Sequence, residues 1–308
     1  MYASGMDSSL PAGWFEGFSS REFAVDGASI FARYGGNPAG PTLLLVHGSP
    51  ETHVMWRRTV EELREEFFII LPDLRGYGDS SKTPGMHDHS NYSKRTMAQD
   101  LVAVVDALGR QRFFLCGHDR GGRVGHRLAL DFPDRLEKLC VIDIAPTLDM
   151  YDATDQAFAT AYYHWFHLIQ PNPLPESMIG GSPMTYLRAT LGGLGSGGLG
   201  FLEEQALEQY ERCFTPGTIH AICEDYRASA GIDLDHDRQD RERGHRIRCD
   251  THVLWGERAV VNRLFRPLEL WQAQCDGRVT GKALPSGHFI PEELPAETAG
   301  ALTEFFGR

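Results

Sequence analysis

A carboxylate flanked by glycines lies at the centre of residues 113–123. This segment is typical of a short apolar strand, a tight turn with the pattern G-x-D-x-G, and a helix. Small residues allow such a turn to lift one side chain above a sheet, and here that side chain is Asp119. We therefore interpret Asp119 as a nucleophile, although an aspartate at this point can also serve only as the N-cap of the helix.

The aspartate restricts the chemistry that this turn can support. A carboxylate that attacks a saturated carbon forms an ester, which water can hydrolyse, whereas a serine would form an ether that resists water. The expected reaction is displacement at an alkyl carbon followed by hydrolysis of the ester.

Two further residues supply an acid and a base in chain order. Sites in parallel sheets form where strands end at their carboxyl edge, and Asp143 stands at the end of the apolar run 139–144. His288 lies in a late loop, and the order Asp119, Asp143, His288 fits an α/β-hydrolase. We favour Asp143 as the acid, and Glu257, which ends the following strand, is the alternative.

Backbone and cationic groups near Asp119 extend the predicted site. The N–H groups of Ser49 and Arg120 are expected to form an oxyanion hole for the Asp119 carbonyl oxygen when water attacks the ester. Arg123 lies one helical turn after Asp119, so Arg120 and Arg123 can face the same cleft. The two arginines form either ordinary ion pairs or a fork for a substrate carboxylate, and we favour the fork.

Composition excludes several classes of function. The net charge of −12 argues against nucleic acid and anionic membranes as partners. The six cysteines have no C-x-x-C spacing, which predicts reduced thiols, and no metal-ligand spacing such as H-E-x-x-H occurs. We expect no metal and no cofactor. The segment 1–13 has neither the basic nor the apolar region of a secretory signal, so we expect a loose leader and a cytoplasmic protein.

Strand and helix patterns alternate up to residue 146 and predict an α/β fold, a mostly parallel sheet with helices on both faces. Residues 147–246 show helical stretches and no convincing strand, and the strand pattern returns at 251–256. We therefore predict a core domain of residues 1–146 and 247–308 with an inserted helical cap of residues 147–246. The G-x-G-x-x-G pattern at 193–198 follows no strand, which favours a flexible loop over a nucleotide site.

With these motifs in view, the chain resembles the haloacetate dehalogenases, which are α/β-hydrolases that include the fluoroacetate dehalogenases. The resemblance covers nearly all of the chain after about Trp14. It rests on the stretches 47–56, 73–80, 117–123, 163–166 and 224–227. Ser49 departs from the family, which usually has an aromatic residue there, and the smaller polar side chain would change substrate size or water access.

The resemblance implies a role for each residue of the predicted site. Asp119 would attack the carbon that bears the halogen, Asp143 would orient His288, and His288 would activate water. Arg120 and Arg123 would bind the carboxylate of a small anionic haloacid.

Three cap residues would complete the site by donating hydrogen bonds to the leaving halide, which are His164, Trp165 and Tyr226. Fluoride is small and strongly hydrated, so its departure needs several aimed donors. The alternative for His164 and Trp165 is a purely structural role in packing within the cap. The family is usually dimeric, so the resemblance also implies a homodimer.

Two rival functions remain open at this stage. An epoxide hydrolase also uses an aspartate nucleophile and needs acidic hydroxyls in its cap, for which Tyr163, Tyr186 and Tyr226 are available. Arg120 argues against it, because that position is usually aromatic in epoxide hydrolases. The second rival is a ligand receptor with the same fold, which would not need an intact nucleophile, acid and base.

Overall fold

The computed structural model of this protein describes residues 10–307, so the first nine residues of the predicted leader lie outside the described part. An eight-stranded sheet has the strand order β1-β2-β4-β3-β5-β6-β7-β8. The strands are β1 (Ser19–Val25), β2 (Ala28–Gly36), β3 (Thr42–Val46), β4 (Phe68–Pro72), β5 (Phe113–His118), β6 (Leu136–Ile142), β7 (Asp250–Gly256) and β8 (Val279–Leu284). β2 pairs antiparallel with β1 and β4, and the remaining pairs are parallel, which confirms the predicted mostly parallel sheet.

The strands follow from local sequence. All five residues of β3 are buried, as expected of an apolar run in a central strand that is covered on both faces. β1 and β2 form the predicted hairpin, whose turn consists of Asp26 and Gly27. Gly27 has φ +67°, a conformation that glycine adopts without strain.

Helices cover the sheet and fill the segment between β6 and β7. They are α1 (Arg57–Leu63), α2 (Lys94–Ala107), α3 (Arg120–Asp131), α4 (Thr147–Asp152), α5 (Gln156–Ala161), α6 (Tyr163–Leu168), α7 (Leu174–Gly180), α8 (Pro183–Leu191), α9 (Glu204–Cys213), α10 (Pro216–Ala230), α11 (Ile232–Glu242), α12 (Val260–Leu264), α13 (Pro267–Gln274), α14 (Ile290–Glu293) and α15 (Pro295–Phe306). Helix α2 packs on α3, and α1 packs on α15. Within residues 10–307, no helix is long and apolar enough to cross a membrane.

The segment between β6 and β7 contains helices α4 to α11 and, as far as the structure describes it, no strand. This interruption of a strand–helix alternation supports the division into a core of residues 1–146 and 247–308 and a cap of residues 147–246. We keep the division as a proposal. Residues 1–9 and 308 of that core lie outside the described part.

Buried ion pairs join the two parts, and we call them the seam. Asp225 on α10 accepts hydrogen bonds from Lys94 on α2 and from Arg120 on α3. Arg127 on α3 donates to Asp237 at 2.8 Å and to Asp240 at 2.5 Å, and both of these lie on α11. The seam thus places cations of the sheet helices against carboxylates of the inserted helices.

Candidate active site

Asp119 occupies a strained turn between β5 and α3. Its backbone has φ 41° and ψ −111°, which an L-residue adopts only where its surroundings enforce it. A Cβ on Gly117 would lie 2.4 Å from the carbonyl carbon of Gly121, and a Cβ on Gly121 would lie 2.5 Å from the oxygen of Val46. Asp119 stands at the N-cap position but makes no capping hydrogen bond, so capping does not account for its side chain.

An acid and a base lie next to this turn. His288 Nδ1 and Asp143 Oδ2 are 2.6 Å apart, and both side chains are buried. Asp143 Oδ1 accepts a hydrogen bond from the Gly256 N–H at 3.1 Å. When Nδ1 carries the ring hydrogen and donates it to Asp143, Nε2 has the lone pair that can accept a proton from water. Glu257, the alternative acid, is exposed.

One predicted oxyanion-hole donor already contacts the nucleophile. The Ser49 N–H donates to Asp119 Oδ2 at 3.1 Å. The approach depends on Gly48, because a Cβ there would lie 2.8 Å from the Cβ of Asp119. The second predicted donor, the N–H of Arg120, begins α3, where backbone N–H groups have no acceptor within the helix.

The Asp119 carboxylate is ionised at neutral pH. Burial would raise its pKa, but the nearby His288, Arg123 and Arg120 together outweigh burial and lower the pKa to about 2. Arg123 Nε lies 3.9 Å from Asp119 Oδ1. The predicted nucleophile therefore carries the charge that a displacement requires.

The two arginines have different surroundings. Arg120 donates from Nε to Asp225 Oδ2 at 2.8 Å and from Nη2 to Asp225 Oδ1 at 2.6 Å. Its guanidinium also lies 4.2 Å from the centre of the Tyr226 ring. Arg120 is thus paired with a carboxylate of the protein, as in the ordinary ion-pair interpretation, and its Nε and Nη2 hydrogens are already used.

Arg123 has a looser arrangement, because its carboxylate neighbour is Asp119, 3.9 Å from its Nε and beyond hydrogen-bond distance. It donates from Nη1 to the oxygen of Ala145 at 3.2 Å and to Thr147 Oγ1 at 2.9 Å, and its guanidinium lies 4.7 Å from the Trp165 ring centre. Its Nε is buried and has no hydrogen-bond partner among the residues that the structure describes. Burial lowers the pKa of Arg123. A donor of this kind, beside a nucleophile, is available to an incoming anion.

A small cavity opens above Asp119, and we call it the site cavity. Its volume is about 20 Å³ as space open to the centres of water-sized spheres. One water needs roughly 10–15 Å³ on the same measure, so only a ligand of a few atoms fits. The lining residues are Ser49, Pro50, Asp119, Tyr162, His164, Leu168, Tyr186, Thr190, Leu194, Ile222, Tyr226 and His288.

The structure brings most of the predicted residues to this cavity. Four predicted residues do not line the cavity, which are Arg120, Arg123, Asp143 and Trp165. Arg123 lies beside Asp119, and its guanidinium stacks on the Trp165 ring. Sequence analysis assigned no role to several lining residues, which are Pro50, Leu168, Thr190, Leu194 and Ile222. They are ordinary cap and loop residues, and no spacing or charge pattern singles them out.

Two of the predicted halide donors are neutral. Burial lowers the pKa of His164 to about 3, so its imidazole carries no charge near pH 7. Burial also raises the pKa of Tyr226 well above the usual range. Their ring centres are 5.8 Å apart at the cavity wall. A neutral imidazole and a phenol each offer one hydrogen to an anion in the cavity.

The three tyrosines that could serve an epoxide hydrolase differ in their position relative to the site cavity. Tyr163 is 56% exposed and lies outside the site cavity. Tyr186 and Tyr226 line it, together with Tyr162.

A buried pair packs against the predicted base, His288, and no sequence pattern indicated it. His118 and His288 have ring centres 4.6 Å apart, and His118 Nε2 lies 2.9 Å from the His288 oxygen. His118 Nδ1 lies 3.0 Å from Glu51 Oε2. Burial would lower the pKa of His118, but the Glu51 carboxylate outweighs it and raises this pKa. The raised pKa favours the protonated form of His118, whose charge would add to the positive field around Asp119.

The glycine-rich segment 193–198 packs against the loop that contains His288. Ser196 Oγ donates to Glu293 Oε1 at 2.7 Å, and Glu293 Oε2 accepts from the Gly287 N–H at 2.8 Å. Arg258 donates to Glu293 Oε2 at 2.9 Å and to the Gly195 oxygen at 3.2 Å. The segment is a loop, as predicted, and Glu293 ties it to the residue that precedes His288.

One group of side chains in the proposed cap has metal-ligand geometry, and none of its members lines the site cavity. Glu176, His220 and Glu224 place one ligand atom each within 4.8 Å of one another. Arg227 donates to Glu176 and to Glu224, both at 2.7 Å. An arginine thus already compensates these carboxylates, and the group does not fit a cation.

Comparisons with known proteins agree with this geometry. The α/β hydrolase fold family matches residues 41–192. The chain is 41% identical over 292 residues to a fluoroacetate dehalogenase from Burkholderia sp., with 94% of each chain covered. It is 30% identical over 272 residues to a soluble epoxide hydrolase from Corynebacterium sp. (strain C12), covering 87% of this chain and 91% of that one. A solved structure from Nostoc sp. PCC 7120, described as an α/β hydrolase, is 49% identical with a TM-score of 0.90, covering 94% of this chain and 98% of that one.

Proposed function

We propose that this chain, which belongs to the haloacetate dehalogenase family of α/β-hydrolases, hydrolyses the carbon–halogen bond of short 2-haloacids such as fluoroacetate or chloroacetate. One observation carries the proposal. Asp119 presents an ionised carboxylate in a strained turn, and the buried Arg123 Nε, which has no hydrogen-bond partner among the described residues, lies 3.9 Å from Asp119 Oδ1. This arrangement suits a substrate that combines an electrophilic carbon with its own carboxylate.

The first step is displacement of halide. Asp119 Oδ1 attacks the carbon that bears the halogen, the carbon–halogen bond breaks with both electrons on the halide, and an ester forms. The other carboxylate oxygen, Oδ2, stays on the Ser49 N–H. His164, Trp165 and Tyr226 donate hydrogen bonds to the leaving halide.

The two arginines share the substrate carboxylate unequally. Arg123 supplies the hydrogen-bond donor, because its Nε has no partner within the described residues. Arg120 contributes its charge from beneath Tyr226, since Asp225 already accepts its Nε and Nη2 hydrogens. The small site cavity supports short substrates.

The second step is hydrolysis of the ester. His288 takes a proton from water, Asp143 stabilises the resulting imidazolium, and the hydroxide attacks the Asp119 carbonyl carbon. Ser49 N–H and Arg120 N–H stabilise the oxyanion. Collapse breaks the bond between the ester oxygen and the acyl carbon, and His288 gives its proton to the departing alkoxide, which leaves as the 2-hydroxyacid. The proton of the new Asp119 carboxyl group passes to solvent, which restores the carboxylate. The route uses only groups of the chain and water.

The test is halide release by the purified protein. Fluoroacetate and chloroacetate are incubated in parallel with an ion-selective electrode, and Asp119→Asn is the control. Release of fluoride supports the whole proposal, and chloride without fluoride supports all of it except the halide donors. The absence of halide from every short haloacid would refute it.

Epoxide hydrolysis is the second candidate, because Tyr186 and Tyr226 both line the site cavity and can donate protons to an opening epoxide. Styrene oxide, run beside the haloacids, distinguishes the two. Diol formation without halide release would support this candidate.

A homodimer and a cytoplasmic location also belong to the proposal. Light scattering of the purified protein tests the first, and fractionation of the producing cells tests the second.

A further inference from the structure

Two cavities in the cap meet at one side chain. The first is the site cavity, with a volume of about 20 Å³. The second, which we call the outer groove, measures about 450 Å³ on the same scale and is lined by Tyr163, His167, Met178, Thr185, Ala189 and Tyr186, among others. Tyr186 lines both spaces.

The Tyr186 ring is supported from within the cap. It stacks on Phe214, with ring centres 6.3 Å apart and planes 14° from parallel, and Phe214 is buried. Tyr186 lies on α8, and Thr190, one turn later on the same helix, also lines the site cavity. The stacking contact supports the ring in the position where it separates the two spaces, and we call this ring the partition.

Large apolar side chains line part of the outer groove. Met178 is 63% exposed, Tyr163 is 56% exposed, and the buried Ile179 also lines this groove. An alkyl group that reached past Tyr186 would bury itself against these residues. No comparable space adjoins Asp119 itself, because the site cavity holds only a few atoms.

We propose that Tyr186 is the specificity-determining residue that restricts the substrate to the smallest 2-haloacids, because its ring closes the site cavity against the outer groove. The proposal rests on the haloacid chemistry proposed above. Removal of the ring joins the two spaces, and the chemical class that gains access is 2-haloacids with an unbranched apolar substituent on the 2-carbon.

The experiment compares bromoacetate with 2-bromohexanoate in the wild type and in Tyr186→Ala. A hydrophobic wall discriminates by roughly 10–200-fold for one methylene. We expect the wild type to favour bromoacetate strongly, and Tyr186→Ala to raise kcat/KM for 2-bromohexanoate by at least about tenfold while bromoacetate changes by less than about threefold. Tyr186→Leu is the second variant should the alanine variant fold poorly, and the same rise, smaller in size, is expected.

Two matched variants separate size from other effects. Tyr186→Phe removes only the hydroxyl and should keep the restriction. Tyr163→Ala enlarges the outer groove without opening the partition and should leave the preference unchanged. A rise in either variant equal to that of Tyr186→Ala would overturn the assignment to the Tyr186 ring.

A binding measurement separates this proposal from the proposed function. Calorimetric titration compares the unreactive acids glycolate and 2-hydroxyhexanoate in the wild type and Tyr186→Ala. Tighter binding of 2-hydroxyhexanoate in the variant than in the wild type supports the role of Tyr186, whether or not bromide is released. If that tighter binding is found but no bromide is released, the dehalogenase proposal fails and the role of Tyr186 stands. Equal turnover of both bromoacids by the wild type, or no gain in turnover and binding in either small variant, overturns the partition.

Discussion

Asp225 accepts two hydrogen bonds from Arg120, at 2.8 Å from Nε and 2.6 Å from Nη2. Lys94 and the Tyr77 hydroxyl donate to the same carboxylate. The cationic side chains of Lys94 and Arg120 thus share the buried Asp225 carboxylate. Removal of that anion would leave both cations buried without their main partner.

We expect Asp225→Asn to destabilise the protein by roughly 3–5 kcal/mol, the usual cost of breaking a buried ion pair from one side. Urea unfolding of wild type and variant measures this difference. The matched control is Asp79→Asn, because Arg212 binds Asp79 at 2.7 and 2.9 Å on the surface. That exposed pair should contribute no more than about 1 kcal/mol. Equal effects of the two variants would contradict this interpretation of the seam.

We expect His288→Asn to release one halide per protein molecule and then stop. The displacement needs only Asp119, whereas hydrolysis of the ester needs a base for water. Rapid-mixing halide detection should show a single burst, and mass spectrometry should find one carboxymethyl group on the peptide that contains Asp119. Steady turnover would assign the base to another residue. Asp119→Asn should show neither burst nor adduct, with turnover lower by roughly 10⁴-fold or more.

The depressed pKa of Asp119 predicts a pH dependence of stability. Its pKa falls from the usual 3.8 to about 2, so the folded state binds fewer protons in this range. The stabilisation is complete above pH 4 and is lost as the pH falls towards 2. A shift of nearly two units corresponds to about 2 kcal/mol. The difference in unfolding free energy between wild type and Asp119→Asn should change by this amount between pH 5 and pH 2, and a flat difference would contradict it.

We expect Arg123→Lys to lower kcat/KM for haloacids by roughly 10–100-fold, because lysine keeps the charge but lacks the Nε donor beside Asp119. Steady-state kinetics with chloroacetate measures it, and the loss should appear mainly in KM. Thr147→Val is the control, since it removes only the hydrogen bond from Arg123 Nη1. An unchanged kcat/KM in Arg123→Lys would show that the substrate carboxylate binds elsewhere.

We expect His164→Phe to impair fluoride release more than bromide release, because fluoride depends most on hydrogen-bond donors. Loss of one aimed donor costs roughly a hundredfold in rate, and the weaker carbon–bromine bond needs less help. His164→Gln keeps an N–H donor and should restore part of the fluoride activity. Parallel electrode assays with fluoroacetate and bromoacetate measure the ratio. An equal loss for both halides would assign His164 to packing.

Local patterns in the sequence were sufficient for most of the fold. The apolar run of β3 and the predicted strand at 279–284 coincide with strands of the sheet. The glycines around Asp119 predicted its turn, because a Cβ at Gly117 or Gly121 would collide with the backbone. These features depend on residues close in sequence, so spacing alone reveals them.

The partners of the site residues could not be predicted in this way. Asp225 lies 105 residues after Arg120, and no local pattern indicates which carboxylate an arginine meets. Asp143 and Glu257 both end strands, and they differ in the burial of Asp143 and in its 2.6 Å contact with His288, neither of which the sequence reveals.

The sequence of the aromatic run at 162–166 does not indicate which of its side chains face the site cavity. Tyr162 lines the site cavity, whereas Tyr163, the next residue, is 56% exposed. A continuous aromatic stretch has no periodicity that could tell the inner face from the outer one.

The seam has a consequence for how molecules reach Asp119. A rigid lifting of the cap would expose Lys94, Arg120 and Arg127 together with their carboxylates, and each pair would have to separate at once. Rotation of a single ring at the wall requires no such separation. Substrate entry and product release should therefore depend on brief openings of a narrow gap in the cavity wall. The rate at which this gap opens would limit how quickly the product leaves as well as how quickly the substrate enters.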